Sequence, residues 1–370
     1  MNVEVRTIPQ SDAAGQSRTA IADCDMHLGP ASMRELYPWL SRRWQQHIET
    51  YGTPHRTGMQ DGLPSYPKAQ PNAARRDAWP PSGKPPGTDL EFTRSHHLDA
   101  NNVEFGLVNP PTPSNGYMNA DLGNAMARAI NEWQLECLVK PEPRLRASVV
   151  VNCEDTAASV AEIDRCAGTP GFGHVLLLSR IGGTMGSRRY FPIFEAAVRA
   201  GLPVGVHAFG FGGNPNTSSG WGSFYLEDMV GHAQGFQAQL ASMVIEGTFE
   251  RLPGLRLVLI EGGFGWVPSL CWRMDRAWKR LRDETPHLKR LPSEYVRSQV
   301  WFTTQPMEEP EPREHVLDTI GWIGWDRLLF ATDYPHWDFD DPATCLPVRM
   351  TEQQRQGFFL GNARRVYGVG

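Results

Sequence analysis

Eight short apolar runs recur along the chain, and this recurrence constrains the possible folds more than any other feature. The runs are rich in Val, Ile and Leu and are continuous rather than alternating, which is typical of strands buried on both faces. The predicted strands are Ile21–Asp25, Val103–Val108, Leu145–Asn152, His174–Ser179, Pro203–Ala208, Arg256–Glu261, Val300–Thr303 and Arg327–Asp333.

Segments with apolar residues at helical spacing lie between most of these strands. They are Asp121–Val139, Thr156–Cys166, Phe191–Ala200, Phe236–Arg251, Val267–Leu281 and Pro312–Ile320. Alternation of eight strands with helices predicts a parallel (β/α)8 TIM barrel of the α/β class. An open doubly wound sheet is the competitor, and it is disfavoured because no strand is followed by GxGxxG or a phosphate loop.

A long Pro-rich segment from 28 to 89 follows the first strand and interrupts the alternation. Such a segment is a lid, a partner-binding insertion or disordered. We expect residues 1–20 to form a tail and 21–370 a single barrel domain that contains this insertion. Because Trp39, Trp44 and Trp79 lie within it, we also expect a homo-oligomer, or a hetero-oligomer with a paralogous barrel subunit.

Composition excludes several classes of protein. The 370 residues carry 36 basic and 41 acidic side chains, a net charge of −5, which argues against a nucleic-acid partner. No two of the six cysteines lie within four residues of each other, so zinc-knuckle spacing is absent and reduced thiols are expected. The N-terminus lacks a signal-like apolar stretch and no run could span a membrane, so we expect a cytoplasmic protein without a membrane partner.

Polar residues end four of the predicted strands. Asp25 and His27 end the first, His207 the fifth, Glu261 the sixth and Asp333 the eighth. In a parallel barrel these ends meet at the face where active sites form. Two imidazoles with three carboxylates suit a divalent metal, because such close carboxylates would otherwise repel, and shared protons between them are the alternative.

Each of these residues also has an ordinary structural explanation. A single Asp-x-His pattern is weak evidence for a metal site. Asp333 could cap the next helix, and Glu261, beside two glycines, could bind a backbone turn. The joint pattern of five residues at four strand ends is stronger than any part of it, and it favours the metal site.

The same residues resemble the amidohydrolase-related family, in the branch that contains aminocarboxymuconate-semialdehyde decarboxylase. The motifs are Asp25-x-His27, His207, Glu261-Gly-Gly, Thr303-Thr-Gln-Pro and Thr332-Asp-Tyr-Pro-His336. The resemblance runs from about residue 20 to the C-terminus. It implies a metal-dependent (β/α)8 barrel, in agreement with the strand count.

The resemblance also assigns roles. It implies that Asp25, His27, His207 and Asp333 bind a divalent metal, with zinc expected first and iron or manganese as alternatives. Asp25 stands where the decarboxylase pattern has His, and Glu261 stands where the family usually has a His that activates water or polarises substrate. Glu261 is therefore a candidate metal ligand or base.

The implied activity is hydrolysis or non-oxidative decarboxylation of a small carboxylate-bearing substrate. Asp333 would act as ligand and proton shuttle and Glu261 as a second acid or base. The Trp337-Asp-Phe-Asp-Asp-Pro342 segment also resembles subunits of 2-aminoisobutyrate hydroxylase. This leaves two alternatives, an O2-dependent hydroxylase with a mononuclear or dinuclear metal site and a non-catalytic metal-binding subunit that supports an active paralogue.

Other polar residues are secondary candidates. His232 precedes a predicted helix and could enter the barrel mouth as a catalytic residue, or it could be a polar residue of the helix start. Arg180 and Arg188 could hold a substrate carboxylate, although a surface role is favoured for both. His96 and His97 are interpreted as structural or surface residues, and His174 lies at the wrong end of its strand for catalysis.

Overall fold

The computed structural model describes residues 19–53, 71–110, 116–117, 119–210, 215, 219–346 and 348–369. Most of the predicted tail at 1–20 and the middle of the predicted insertion, residues 54–70, lie outside these ranges. The division into a tail and a single barrel domain stays a prediction.

All eight predicted strands are present. They are β1 (Ile21–Met26), β2 (Val103–Val108), β3 (Leu145–Val150), β4 (Phe172–Arg180), β5 (Val204–Gly210), β6 (Leu257–Ile260), β7 (Val300–Thr303) and β8 (Leu328–Leu329). They form one sheet in chain order, and each strand pairs in parallel with the next. The predicted (β/α)8 architecture is therefore confirmed.

Backbone hydrogen bonds join the segment that follows β8 to β1. Cys24 N donates to Phe330 O over 3.0 Å, and Asp333 N donates to Asp25 O over 3.1 Å. The regular pairing of β8 ends at Leu329, four residues before the predicted end at Asp333. The chain turns at Asp333, where φ is 62°, so it cannot continue as a strand there. Closure of the barrel thus fixes the backbone of Asp25 and Asp333 directly against each other.

The helices surround the sheet. They are α1 (Arg42–Tyr51), α2 (Leu90–Thr93), α3 (Ala120–Trp133), α4 (Thr156–Cys166), α5 (Phe191–Arg199), α6 (Tyr225–Ile245), α7 (Thr248–Arg251), α8 (Val267–Arg280), α9 (Pro292–Gln299), α10 (His315–Ile323), α11 (Glu352–Gln356) and α12 (Asn362–Tyr367). Wider helical turns at Arg94–Asp99, Gln134–Val139 and Gly357–Gly361 extend or join some of them, and 3₁₀ turns occupy Met33–Trp39, Pro71–Ala73, Arg76–Ala78, Arg188–Tyr190, Arg282–Glu284 and Trp325–Arg327.

Helix α6 begins earlier than its apolar pattern predicted, at Tyr225 rather than Phe236. The Glu227 carboxylate accepts hydrogen bonds from the backbone N–H groups of Ser223 and Phe224, which satisfies donors at the helix start. The sequence pattern missed these turns because their outward face is apolar, with Leu226 and Val230 largely exposed. The extension carries His232 into the second turn of a long helix.

Two apolar clusters stabilise the barrel. The larger lies between the sheet and the surrounding helices. The smaller joins strand residues to the C-terminal helix and comprises Ala22, Cys24, Phe105, Leu107, Val258, Ile260, Leu329, Ala331, Ala363, Val366 and Tyr367. All six cysteines are free thiols. Within the described residues, the structure has no helix with the length and apolar character needed to cross a bilayer.

The described parts of the segment from 28 to 89 pack on the barrel. Trp44 is buried and Trp39 half-buried against the same chain, and only Trp79 is exposed, at 39 %. The premise that these aromatic residues need a partner subunit is therefore wrong for Trp44, because the chain's own apolar core covers it. The expected oligomer stays a prediction.

A buried carboxylate ties the chain just after this segment to the barrel. The Glu142 carboxylate accepts hydrogen bonds from Arg144 Nε at 2.9 Å and from Arg94 Nε at 3.0 Å. Arg94 follows α2, and Arg144 immediately precedes β3. These hydrogen bonds, those of Arg144 first, hold the pKa of Glu142 well below its ordinary value, at about 2, against the opposing effect of burial.

Replacing this carboxylate should therefore destabilise the fold in a pH-dependent way. We expect Glu142→Gln to lower the free energy of unfolding by about 1–2 kcal/mol at pH 7, since hydrogen bonds to charged groups are lost. The lowered pKa gives stability that is present above pH ~4.3 and is lost as pH falls toward 2. Urea unfolding at several pH values measures this.

The matched control is Glu136→Gln, which removes an exposed i, i+4 partner of Lys140 and should cost less than about 0.5 kcal/mol. An equal loss for both variants, or a Glu142→Gln loss that does not shrink between pH 5 and pH 2, would contradict the proposed contribution.

Candidate metal centre

The predicted strand-end residues converge at the carboxyl end of the barrel. Asp25, His27, His207 and Glu261 each place one nitrogen or oxygen atom within 4.8 Å of those of the others. Asp333 joins this group through His27, whose Nε2 lies 2.8 Å from Asp333 Oδ1. All five side chains are buried, with exposed fractions of 6 % or less.

Backbone carbonyl groups orient both imidazoles. His27 Nδ1–H donates to Asn109 O at 2.8 Å, and His207 Nδ1–H donates to Ala208 O at 2.9 Å. A carbonyl only accepts hydrogen bonds, so each ring must carry its proton on Nδ1. The two Nε2 atoms are thereby directed at the centre of the group, the arrangement found in histidines that bind metals.

The atoms at the centre crowd one another. The Nε2 atoms of His27 and His207 are 3.3 Å apart. His207 Nε2 also lies 3.0 Å from Glu261 Oε2 and 3.4 Å from Asp25 Oδ2. Neither of these two carboxylate oxygens has a hydrogen-bond partner among the described residues.

This arrangement fits a divalent cation. Buried polar atoms without partners are rare, and two of them face two inward-directed imidazole nitrogens here. Nitrogen and carboxylate oxygen together are the donors that zinc, iron and manganese accept. The chain thus has a candidate divalent-metal site at the predicted position.

The groups of the centre shift one another's pKa. Burial alone would raise the pKa of Asp25, but the charges of His207 and His27 hold it well below its ordinary value. Burial would lower the pKa of both imidazoles, yet Asp25 and Asp333 raise that of His27, and Asp25 and Glu261 raise that of His207 to about 10. The cavity therefore favours positive charge beside its carboxylates.

The two remaining carboxylates differ in environment. Burial and the neighbouring charge of Asp333 raise the pKa of Glu261, and the opposing effect of His207 does not cancel them. Burial also acts to raise the pKa of Asp333, but His336 and His27 lower it to about 2. Of these two carboxylates, Glu261 is the one whose surroundings favour the protonated form.

The backbone is strained around this centre. Phe209, Glu261 and Asp333 have φ values of 72°, 61° and 62°, in the left-handed region that residues other than glycine seldom adopt. The Glu261 N–H donates to Thr303 Oγ1, which helps to hold this conformation, and at the next residue, Gly262, a Cβ atom would lie 2.5 Å from the Phe236 ring. Such strain persists only where the surroundings enforce it, and it is concentrated at functional sites.

Sequence reasoning missed Asn109, which follows β2. Its Nδ2 donates to Asp25 Oδ1 at 2.8 Å, while its backbone oxygen holds His27. Its Oδ1 meets Ser148 Oγ at 2.8 Å and His174 Nε2 at 2.9 Å in the barrel interior. The one available signal was its position directly after the second strand, which is weak evidence when the side chain is uncharged.

His336, from the motif that follows the eighth strand, completes the surroundings of Asp333. Its Nδ1 lies 2.8 Å from Asp333 Oδ1, and its ring stacks on His27 with centroids 4.4 Å apart. Gln305 Nε2 donates to Asp333 Oδ2 and to Asp338 O. Burial and the charges of Asp333 and Glu261 raise the pKa of Asp338 to about 9.

The secondary candidates fall in different places. His232 is buried beside Phe209, with ring centroids 4.6 Å apart. Arg180 is buried at the end of β4, so the favoured surface role is wrong for it, whereas Arg188 is exposed as expected. His97 is structural and bonds Asp23 at 2.8 Å.

Known proteins resemble this chain along most of its length. The gamma-resorcylate decarboxylase of Polaromonas sp. is 23 % identical over 294 residues, covering 75 % of this chain and 87 % of that protein. The 5-carboxyvanillate decarboxylase of Sphingomonas paucimobilis superposes with a TM-score of 0.69 at 20 % identity, over 95 % of this chain and 99 % of the other.

A second 5-carboxyvanillate decarboxylase, from Novosphingobium aromaticivorans, has a TM-score of 0.70 at 18 % identity over 95 % and 97 % of the two chains, and its structure contains bound manganese. At such identities the structural likeness establishes the fold alone. Residues 22–369 match the family model described as amidohydrolase, and the chain therefore belongs to the amidohydrolase family.

Proposed function

We propose that this chain is a divalent-metal-dependent enzyme that removes CO2 non-oxidatively from a small aromatic carboxylate. The observation that carries the proposal is the buried group of two oriented imidazoles and unpartnered carboxylate oxygens at the barrel mouth. The decarboxylases that this chain resembles act, by their names, on resorcylate and carboxyvanillate, which are carboxylated phenols. They favour decarboxylation over the hydrolase and hydroxylase alternatives.

We propose Asp25, His27, His207 and Asp333 as the residues that hold the ion. When bound, a divalent cation would offset the negative charge of these carboxylates and polarise an oxygen of the substrate. We propose manganese, because it accepts a donor set of two carboxylates and two imidazoles and a structural relative contains it. Zinc as the bound metal and a dinuclear centre stay predictions, and the identity and number of metal ions bound after loading test them.

The reaction requires a proton at a defined place. When the bond between the ring carbon and the carboxylate breaks, CO2 leaves and the electron pair stays on the ring carbon, which must then take up one proton. We propose Glu261 as the group that delivers it. Glu261 is buried, its Oε2 lies beside the metal ligand His207, and its backbone is held in a strained conformation that fixes the side chain.

Asp333 and His336 would support this chemistry from the opposite side of His27. Asp333 Oδ1 is shared between His27 Nε2 and His336 Nδ1, both at 2.8 Å. The His336 side chain is 20 % exposed, so it links the buried carboxylate to solvent. We propose that this pair takes up a proton from solvent at His336 and passes it to Asp333, from which Glu261 is reprotonated through substrate-site water, and this retains the shuttle role expected of Asp333.

Assembly and location remain proposals of the same kind. We propose an oligomer of this barrel, either with itself or with a paralogous subunit, acting in the cytoplasm. Light scattering of the purified chain, with activity measured on the same sample, tests the first part.

The direct test of the function is CO2 release. We expect metal-stripped protein loaded with Mn²⁺ to release CO2 from dihydroxybenzoates or carboxyvanillate without consuming O2, and His207→Ala to lose both metal and activity. His287→Ala is the matched control, because His287 bonds the backbone oxygen of Ile245, the last residue of α6. Oxygen consumption coupled to product formation would establish the hydroxylase alternative instead.

The role of Glu261 is separable from metal binding. We expect Glu261→Gln to reduce turnover by at least about 100-fold, because the amide cannot deliver the proton, while the metal content stays at the wild-type level. Glu308→Gln is the control, since Glu308 accepts hydrogen bonds from the nearby backbone of Phe264 and Gly265 and should retain turnover. Loss of metal from Glu261→Gln, measured by elemental analysis, would show that Glu261 is a ligand.

Asn109 should tune the affinity for the ion. Asn109→Ala removes the hydrogen bond to Asp25 but keeps the backbone oxygen that holds His27. We expect a loss of metal affinity of about 10–100-fold by competition with a chelating dye, with an unchanged circular dichroism spectrum. Asn124→Ala, which removes a hydrogen bond to Asp155 away from the centre, is the control. Equal affinities for wild type and Asn109→Ala would refute this positioning role.

A further inference from the structure

The outward face of α8 exposes a tryptophan close to the middle of the helix. Trp272 is 57 % exposed, and the helix runs from Val267 to Arg280. The Trp272 ring contacts that of Trp322 on α10 edge to face, with centroids 6.1 Å apart, and Leu317 on α10 is exposed as well. Exposed aromatic and aliphatic side chains that lie together in this way are typical of protein–protein contacts.

The second half of α8 is basic. Its exposed cations follow Trp272 at helical spacing and are Arg273, Arg276, Lys279 and Arg280. Arg276 and Arg280 are four residues apart, a spacing at which like charges destabilise a helix. None of these cations forms an ion pair with a described residue. Asp275, the single acidic residue of α8, already accepts hydrogen bonds from the backbone N–H and the hydroxyl of Ser293.

The start of α8 lies beside an acidic loop, residues 308–314. The Glu308 carboxylate accepts hydrogen bonds from the backbone N–H groups of Phe264 and Gly265, just before the helix. The loop leads into α10, which packs against α8. Its other charged residues are exposed and mostly acidic, namely Glu309, Glu311, Arg313 and Glu314. The face formed by α8, α10 and this loop is therefore acidic at one end, aromatic in the middle and basic at the other end.

A face with this distribution of charge is complementary to itself. A two-fold axis perpendicular to α8 at its middle sets two copies of the helix antiparallel. The acidic loop of each copy then lies opposite the basic half of the other, and the two Trp272 side chains meet near the axis. Such an isologous contact uses the same patch on both chains. A nucleic acid or an anionic membrane would match only the basic half.

We propose that this face is the contact between two copies of this chain in a two-fold dimer. The opposite charges at its two ends orient the copies, and the aromatic centre excludes water. A groove of about 390 Å³, lined by Trp272, Asp275, Arg276, Lys279 and Arg280, receives the indole ring of the second copy against guanidinium groups. The inference specifies the contact for the proposed assembly and does not rest on the proposed reaction.

Light scattering during size-exclusion chromatography of the full chain tests the contact. We expect wild type to be a dimer at micromolar concentration and Trp272→Glu to be a monomer with an unchanged circular dichroism spectrum, because the substitution places two carboxylates near the axis. Trp79→Glu is the matched control and should stay dimeric, since Trp79 is exposed in the segment from 28 to 89 rather than on this face.

Charge reversal tests the pairing of the two ends. Arg276→Glu with Arg280→Glu should weaken dimerisation at least about tenfold, and so should Glu311→Arg with Glu314→Arg. The chain that carries all of these changes regains opposite charges across the axis, so its dimer dissociation constant should return to within about threefold of wild type.

The outcomes separate the contact from the assembly. A wild-type monomer would overturn both the proposed oligomer and this contact. A dimer that withstands Trp272→Glu but dissociates in Trp79→Glu, or a combined charge-reversal variant that dimerises no better than either half, would overturn the contact alone.

Discussion

Mutual repulsion of buried carboxylates is the constraint on which the rest of this molecule depends. Asp25, Glu261 and Asp333 lie at one end of a closed barrel, out of contact with water. Such charges are tolerated in a protein interior only beside compensating positive charge. Two imidazoles supply part of this compensation through shared protons. A divalent cation would supply the rest at the point toward which both imidazole nitrogens and the unpartnered Asp25 Oδ2 are directed.

The fold enforces this arrangement against several unfavourable local conformations. Barrel closure fixes Asp25 and Asp333 to each other through the backbone. Glu261 and Asp333 both adopt positive φ, and each is held there by contacts outside its own strand. Asn109 alone fixes the orientation of Asp25 through its side-chain amide and the tautomer of His27 through its backbone oxygen. The strained backbone conformations thus lower the stability of this end of the barrel, and they hold the donor atoms in a fixed arrangement.

The barrel and the five strand-end residues could be predicted because both follow from one-dimensional patterns. Continuous apolar runs specify buried parallel strands, and a polar residue that ends such a run must lie at the barrel mouth. Asn109 could not be predicted, since an uncharged side chain at a strand end is weak evidence for a role that depends on three neighbouring strands. The burial of Arg180 was not predicted for a related reason. Helix α6 covers Arg180, and the early start of that helix depends on side-chain capping by Glu227 rather than on periodicity.

The central claim is that this buried group of charges exists to bind a divalent cation. Thermal unfolding of metal-stripped protein, followed as Mn²⁺ is added, tests it most directly, because a ligand that binds only the folded state raises the midpoint. The account predicts a rise of several degrees at saturation, abolished in His207→Ala, with Mn²⁺ retained after dialysis. A stripped wild-type chain that unfolds at the same temperature with and without Mn²⁺, Zn²⁺ or Fe²⁺, and retains none of them, would contradict it.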